Sequence, residues 1–195
     1  MIVIGARRKL SELERFLGEK LNPIYKAHYA VWVYWWPWWR KLFSGRRILK
    51  KWGEIKLVQE GQTFLDYGCG VGSFTIPAAQ GVGAKGKVYA LDCFPRQLEI
   101  VEQKSKQEGL TNIETILSTG DTGLASESID VIWMCDVLHE ISARRVVMEE
   151  LHRILKQKGT LVVHDSMGEK VLSYTDGLFS LIDRDDKLLR FTKQS

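Results

Sequence analysis

The stretch TFLDYGCGVGSFTIPAAQ (Thr63 to Gln80) reads as a short apolar strand, a turn holding three glycines, and an apolar helix closed by Gly81 and Gly83. It constrains the fold because the same rhythm then recurs. GKVYALD (Gly86 to Asp92) predicts a second strand, and Pro95 to Glu108 predicts a helix that proline opens and Gly109 closes. IETILS (Ile113 to Ser118) predicts a third strand. IDVIWMCDVL (Ile129 to Leu138) is too uniformly apolar for a half-exposed strand and suits a central parallel one. Ser142 is expected to cap a helix running to about Gln157 with Gly159 as its stop, followed by a fifth strand, TLVVHD (Thr160 to Asp165). After a short helical stretch near Gly168 to Tyr174, GLFSLIDRDDKLLRFTK reads as two strands joined around Arg184, Asp185 and Asp186. Strands alternating with helices require right-handed crossovers and a parallel sheet covered on both faces. The expected fold is therefore doubly wound α/β, with an antiparallel hairpin at its C-terminal end, and 195 residues suit one such domain.

The N-terminal quarter breaks this pattern. YAVWVYWWPWWRKLF (Tyr29 to Phe43) places five tryptophans in eight positions and then turns basic. Its apolar run is about eleven residues long and holds Pro37, whereas a membrane-spanning helix needs about 20, so it is not read as a span. Residues 1–60 carry 13 Lys and Arg against 5 Asp and Glu, a basic excess hidden in the chain's net +4. Aromatic rings followed by Arg40, Lys41, Arg46, Arg47, Lys50 and Lys51 have the composition of a membrane-interface segment. The same rings would equally suit an arm packed over the edge of the following domain, where it would cover that domain's ligand cleft. The sequence leaves both readings open for residues 29–51 and divides the chain into an N-terminal helical arm, 1–52, and a domain, 53–195. The odd set Cys69, Cys93 and Cys135 suits reduced, buried thiols and a cytoplasmic compartment, and no secretory signal is read at the start.

In an open parallel sheet, ligands bind beyond the carboxyl ends of the strands where the strand order reverses, and the glycine turn is expected there. Gly68, Gly70 and Gly72 would let a ligand approach the backbone where a Cβ would clash. Ser73 occupies the place where a dinucleotide fingerprint has its third glycine. Asp92 ends the second strand and could accept both hydroxyls of a ribose, or instead cap the helix that begins at Pro95.

FLDYGCGVGSFT, VYALD, IDVIWMCDVLHEI and LHRILKQKGTLVVHD, taken in order over residues 53–165, resemble the successive signature segments of class I S-adenosylmethionine-dependent methyltransferases. The resemblance is to the branch that includes ubiquinone and menaquinone methylases. It implies a mostly parallel, seven-stranded Rossmann-like sheet and S-adenosyl-L-methionine as cofactor. By the same resemblance Asp66 and the loop Gly68, Gly70 and Gly72 hold the methionine part and Asp92 binds the ribose. Cys93 and Phe94 then flank the adenine, with Asp121 near its amino group, and Asp136 borders the cofactor.

Residues at the carboxyl end of the fourth strand would face the acceptor, which makes Asp136, His139 and Glu140 the catalytic candidates. Imidazole is the side chain best suited to take a proton near neutrality, so His139 is the candidate general base; the alternative is a loop cap. His164 and Asp165 are lesser candidates, Asp165 the better placed. Val137 and Leu138 follow Asp136 where methylases of nucleic-acid amino groups carry two prolines and an aromatic residue. No cysteine stands beside proline as cytosine-carbon methylation requires, and HDS at 164–166 does not supply the metal ligands of catechol-type enzymes. No cluster with metal-ligand spacing is visible, so no metal is expected. A small, apolar or membrane-associated acceptor is expected, and nucleic acid is disfavoured. Two other readings remain: a nicotinamide-dependent oxidoreductase, which Ser73 and the lack of a substrate domain disfavour, and a non-catalytic cofactor-binding or membrane-associated interaction protein.

Overall fold

The computed structural model describes residues 45–185 and 187–194, with side chains from residue 48 onward. The aromatic segment 29–43, and with it most of the proposed arm, lies outside the described residues. The chain divides into two compact units, 1–48 and 49–195, and the side-chain contacts below all lie in the second.

Seven strands form one sheet in the order β3-β2-β1-β4-β5-β7-β6. They are β1 (Thr63–Tyr67), β2 (Lys87–Asp92), β3 (Ile113–Leu117), β4 (Ile129–Cys135), β5 (Leu155–His164), β6 (Phe179–Asp185) and β7 (Leu188–Lys193). The first five pair in parallel, and β7 runs antiparallel between β5 and β6. This is the doubly wound sheet with a C-terminal hairpin that the alternating pattern predicts. The helices are α1 (Gly45–Glu54), α2 (Thr75–Val82), α3 (Pro95–Gln107), α4 (Arg144–Ile154) and α5 (Leu172–Thr175), with 3-10 turns at Leu138–Glu140 and Gly168–Val171.

The period of two along each strand sorts side chains to the two faces. Leu65 and Tyr67 of β1, Ile132 and Met134 of β4 and Leu161 and Val163 of β5 pack with Val147, Met148, Leu151 and Ile154 of α4. Phe64 and Trp133 point to the opposite face, where they meet Trp52 of α1. Its ring centroid lies 4.8 Å from that of Trp133 in an edge-on arrangement and 5.5 Å from that of Phe64. Trp133 is fully buried, so truncating it to alanine would cost about 3 to 5 kcal/mol.

Two boundaries differ from the sequence expectation. α4 starts at Arg144 with no side-chain cap, so Ser142 does not cap it, and it ends at Ile154, where β5 begins at once. Gly159 is therefore inside a strand rather than a helix stop. Leu155 pairs with Ile129, yet the next partners are Thr160 and Val131, so the chain bulges between them. A Cβ on Gly159 would lie 2.6 Å from Leu155 Cδ1, which is why a bulge at this place needs glycine. The second boundary is the end of β4 at Cys135, where Asp136 adopts the left-handed backbone (φ 50°). Leu138, expected in the strand, lies in the 3-10 turn.

Candidate cofactor site and acceptor edge

β1 pairs with β2 on one side and β4 on the other, so the strand order reverses between β1 and β4. The turns leaving these two strands meet. A Cβ on Gly68 would fall 2.5 Å from Val137 Cγ2, and Gly68 also has φ +75°. Glycine is required there on both counts, for close approach and for backbone conformation. At Gly70 (φ +50°) the situation is the reverse, for an added Cβ would meet nothing within 4 Å. The backbone of Gly70 thus borders open space at the switch point, where a ligand can lie against it.

The loop is tied down from three sides. The N–H groups of Gly68 and Cys69 donate to Leu91 O at 2.8 and 2.9 Å, and the Gly70 N–H donates to Asp92 Oδ2 at 2.9 Å. Lys104 of α3 donates from Nζ to Val71 O at 2.5 Å. The other Asp92 oxygen accepts the Phe94 N–H at 3.0 Å, so this carboxylate both anchors the loop and caps the entry to α3. Burial pushes the Asp92 carboxyl up, opposed by the N–H groups of Phe94, Gly70 and Cys93. Each oxygen has a second lone pair for an incoming hydroxyl.

Asp66 lies beneath the loop, 2% exposed, accepting the Thr75 hydroxyl at 2.6 Å. Burial raises it to about 7 against the pull of Thr75, with the nearby Asp92 charge adding to the rise. The Cys69 thiol is held well up by burial, and that of Cys93 is pushed up to about 12 for the same reason. Neither has the depressed value of a reactive thiolate. Asp121 turns back onto its own loop, where it accepts the Gly123 N–H at 2.9 Å, and the loop is held by Thr122 donating its N–H to Glu150 Oε1 at 3.2 Å.

On the β4 and β5 side, His139 and Asp165 come together. His139 Nδ1 lies 3.1 Å from Asp165 Oδ2, which also accepts the His139 backbone N–H at 3.3 Å. Asp165 is 1% exposed. Burial works against its charge, but hydrogen bonds from the Met167 N–H and from His139 outweigh it and hold the carboxyl below its ordinary value. An ionised acceptor on Nδ1 fixes the imidazole with its proton on that nitrogen and leaves Nε2 as the basic one. Glu140 Oε1 lies 3.7 Å from Nε2, and its charge adds to the upward shift of Asp92 and Cys93. Arg144 fixes the turn by donating to Leu138 O at 2.9 Å and His139 O at 2.8 Å. His164 faces Cys135 and Asp136, with Nδ1 3.7 Å from Cys135 Sγ and 3.9 Å from Asp136 Oδ1.

The expected candidates thus separate into a loop group (Asp66, Gly68, Gly70, Gly72, Asp92, Cys93, Phe94), an acceptor-edge group (Asp136, His139, Glu140, with Asp165 and His164), and Asp121 on its own loop. Sequence reasoning missed Thr75, Lys104 and Arg144. All three bond to groups brought close by folding, and only the basic residue at the start of α4 is visible as a local signal.

A methyltransferase-domain family model matches residues 59–191, a span that includes both groups. The chain belongs to the class I S-adenosylmethionine-dependent methyltransferase family. Demethylmenaquinone methyltransferase of Geobacillus stearothermophilus is 35% identical over 106 residues, covering 54% of this chain and 45% of that protein. The chain spans about half the length of the curated relatives it matches. A methyltransferase of Aquifex aeolicus described as SAM dependent has the same fold, with a TM-score of 0.65 at 23% identity over 94% of this chain and 96% of that one. Coclaurine N-methyltransferase bound to N-methylheliamine and SAH superposes at TM-score 0.54 with 26% identity, covering 61% of this chain and 35% of that one. The methyltransferase family's cofactor is S-adenosylmethionine, and the open space at Gly70 beside the buried Asp92 carboxylate fits it. Among the described residues, no helix is long and apolar enough to cross a membrane.

Proposed function

We propose that this methyltransferase transfers the methyl group of S-adenosylmethionine to a small, apolar, quinone-like acceptor whose hydroxyl His139 deprotonates. The observation that carries the reading is the His139–Asp165 pair at 3.1 Å, on the sheet edge that also bears the glycine loop. The demethylmenaquinone methyltransferases among the relatives support a quinone-type acceptor.

Asp92 would hold the ribose hydroxyls, with Gly68, Gly70, Gly72 and Asp66 at the methionine part. Cys93 and Phe94 would stand beside the adenine, Asp121 near its amino group and Asp136 along the cofactor's acceptor side. When bound, the cofactor supplies a methyl group already activated by its sulfonium charge. The protein therefore has to position the acceptor, exclude water and move one proton.

Nε2 of His139 would take the acceptor's hydroxyl proton, and the methyl group would go to the oxygen so freed, or to a ring carbon whose own proton is then lost as the ring re-aromatises, leaving S-adenosylhomocysteine. Asp165 keeps the ring oriented and stabilises the imidazolium that results. Glu140 lies within reach of that charge. Residues 29–51 would hold the enzyme at a lipid surface, into which an apolar acceptor partitions; their aromatic and basic composition supports this. The arm 1–52 and domain 53–195 would then divide membrane contact from chemistry.

The test is to incubate the full chain with methyl-labelled S-adenosylmethionine and separated lipid, small-molecule, protein and RNA fractions. Label in a lipid-soluble phenolic or hydroquinone product is expected, and is gained about 10²-fold or more slowly in His139→Gln. Label in RNA or protein, or in no fraction, overturns the reading.

A further inference from the structure

β4 and β5 are parallel and in register at their ends, Cys135 opposite His164. Register partners in neighbouring parallel strands present their side chains to the same face, which is how the thiol comes within 3.7 Å of Nδ1. The chain then turns through a left-handed residue that is not glycine. Asp136 takes φ 50°, held by its own N–H on His164 O at 2.8 Å, and its carboxylate comes to 3.9 Å from the same Nδ1. An L-residue in that conformation is strained by about 1 to 3 kcal/mol and persists where its surroundings dictate it, most often at functional sites. One ligand atom from each of Cys135, Asp136 and His164 lies within 4.8 Å of the other two.

Ideal bonds of about 2.3 Å to sulfur, 2.0 to 2.1 Å to imidazole and 2.0 to 2.2 Å to carboxylate give tetrahedral edges of about 3.3 to 3.6 Å. The thiol–imidazole separation already matches. The carboxylate needs to close on Nδ1 by about 0.5 Å, and the widest of the three separations, within 4.8 Å, needs to shorten by up to about 1.2 Å, so binding draws the three side chains together. A thiolate, an imidazole and a carboxylate together suit zinc and its neighbours and exclude calcium and magnesium, which take oxygen alone.

We propose that Cys135, Asp136 and His164 form a three-ligand site for a zinc-type divalent cation, with its fourth position open to water or to a heteroatom of the acceptor. Three protein ligands and one exchangeable position is the pattern of a working metal site rather than a closed structural one. Spacing along the chain conceals it, because two ligands are adjacent and the third is 29 residues away on the next strand of the sheet.

The test uses the full chain stripped with a chelator and titrated with Co2+ as a spectroscopic probe, then with Zn2+ in competition with a chromophoric chelator. One equivalent is expected, with a thiolate-to-cobalt transition in the near ultraviolet and the intense visible bands of four-coordinate cobalt. Cys135→Ser should abolish the near-ultraviolet transition, and His164→Ala should weaken Zn2+ binding by more than about tenfold. Cys69→Ser and Cys93→Ser should leave metal uptake unchanged. Thermal unfolding of each variant checks that it folds, and if Cys135→Ser does not, His164→Ala and Asp136→Asn decide. No stoichiometric uptake by the native chain, a transition that survives Cys135→Ser, or Zn2+ affinity indifferent to His164 and Asp136 overturns the proposal.

Discussion

The Asp92 carboxylate accepts the Gly70 N–H at 2.9 Å, so the group that ends β2 also sets the shape of the loop that leaves β1. Under the proposed function a buried carboxylate in this position contributes twice, by holding the loop and by binding the ribose. Asp92→Ala removes both contributions and should weaken S-adenosylmethionine binding by about 10 to 100-fold, the equivalent of one or two charged hydrogen bonds. Calorimetric titration measures this, and unchanged affinity would remove Asp92 from the site.

Gly68 and Gly70 should respond differently to the same substitution. Gly68→Ala drives a methyl into Val137 at 2.5 Å in a left-handed backbone and should destabilise the fold by about 2 to 4 kcal/mol. Gly70→Ala meets no atom within 4 Å, so it should cost only about 1 kcal/mol of stability while its methyl enters the space proposed for the cofactor. Denaturant unfolding beside cofactor titration tells the two apart: Gly70→Ala should lose binding well beyond its loss of stability.

The His139–Asp165 pair makes a claim about rate. His139→Gln and Asp165→Asn should each lower kcat by about 10² to 10⁴ with little change in cofactor affinity. The double variant should fall little further than either single one, because groups acting as a unit are not additive. Full additivity in single-turnover experiments would mean the two act separately.

Asp66 gives a dependence on pH. Its folded value of about 7 stands above the ordinary 3.8, so between these limits the native state retains a proton that the unfolded chain has released. Its contribution is complete at the acid end and is lost as pH rises towards 7. Asp66→Asn, which keeps an acceptor for Thr75, should flatten that slope in denaturation series from about pH 5 to pH 8. Asp165 has the opposite sign, since its lowered value contributes stability that disappears on acidification. An ionised Asp66 favours a cationic ligand, so cofactor affinity should rise with pH over the same window in the native chain and not in the variant.

The succession of strands and helices along the chain, the parallel sheet and the C-terminal hairpin were legible because apolar runs broken by glycine and proline are local signals. So was the loop from Gly68 to Gly72, whose spacing appears directly in the chain. The junction of α4 and β5 was not. Gly159 reads as a helix terminator, whereas its actual constraint is the Leu155 side chain across a bulge, which depends on how β5 registers with β4. Asp165 was named as a lesser candidate, but its pairing with His139 joins two turns 26 residues apart, which no periodicity reports. Lys104 on the Val71 carbonyl escaped for the same reason, since a lysine on a helix reads as solvated until the fold brings a carbonyl to it.

Arg144 grips the carbonyls of both Leu138 and His139 from the first turn of α4, a helix whose inner face is locked into the sheet. The orientation of the imidazole is thus inherited from the rigid body of the domain. Under the proposed function, surrounding segments could be remodelled for a new guest while the imidazole stays aimed at one spot.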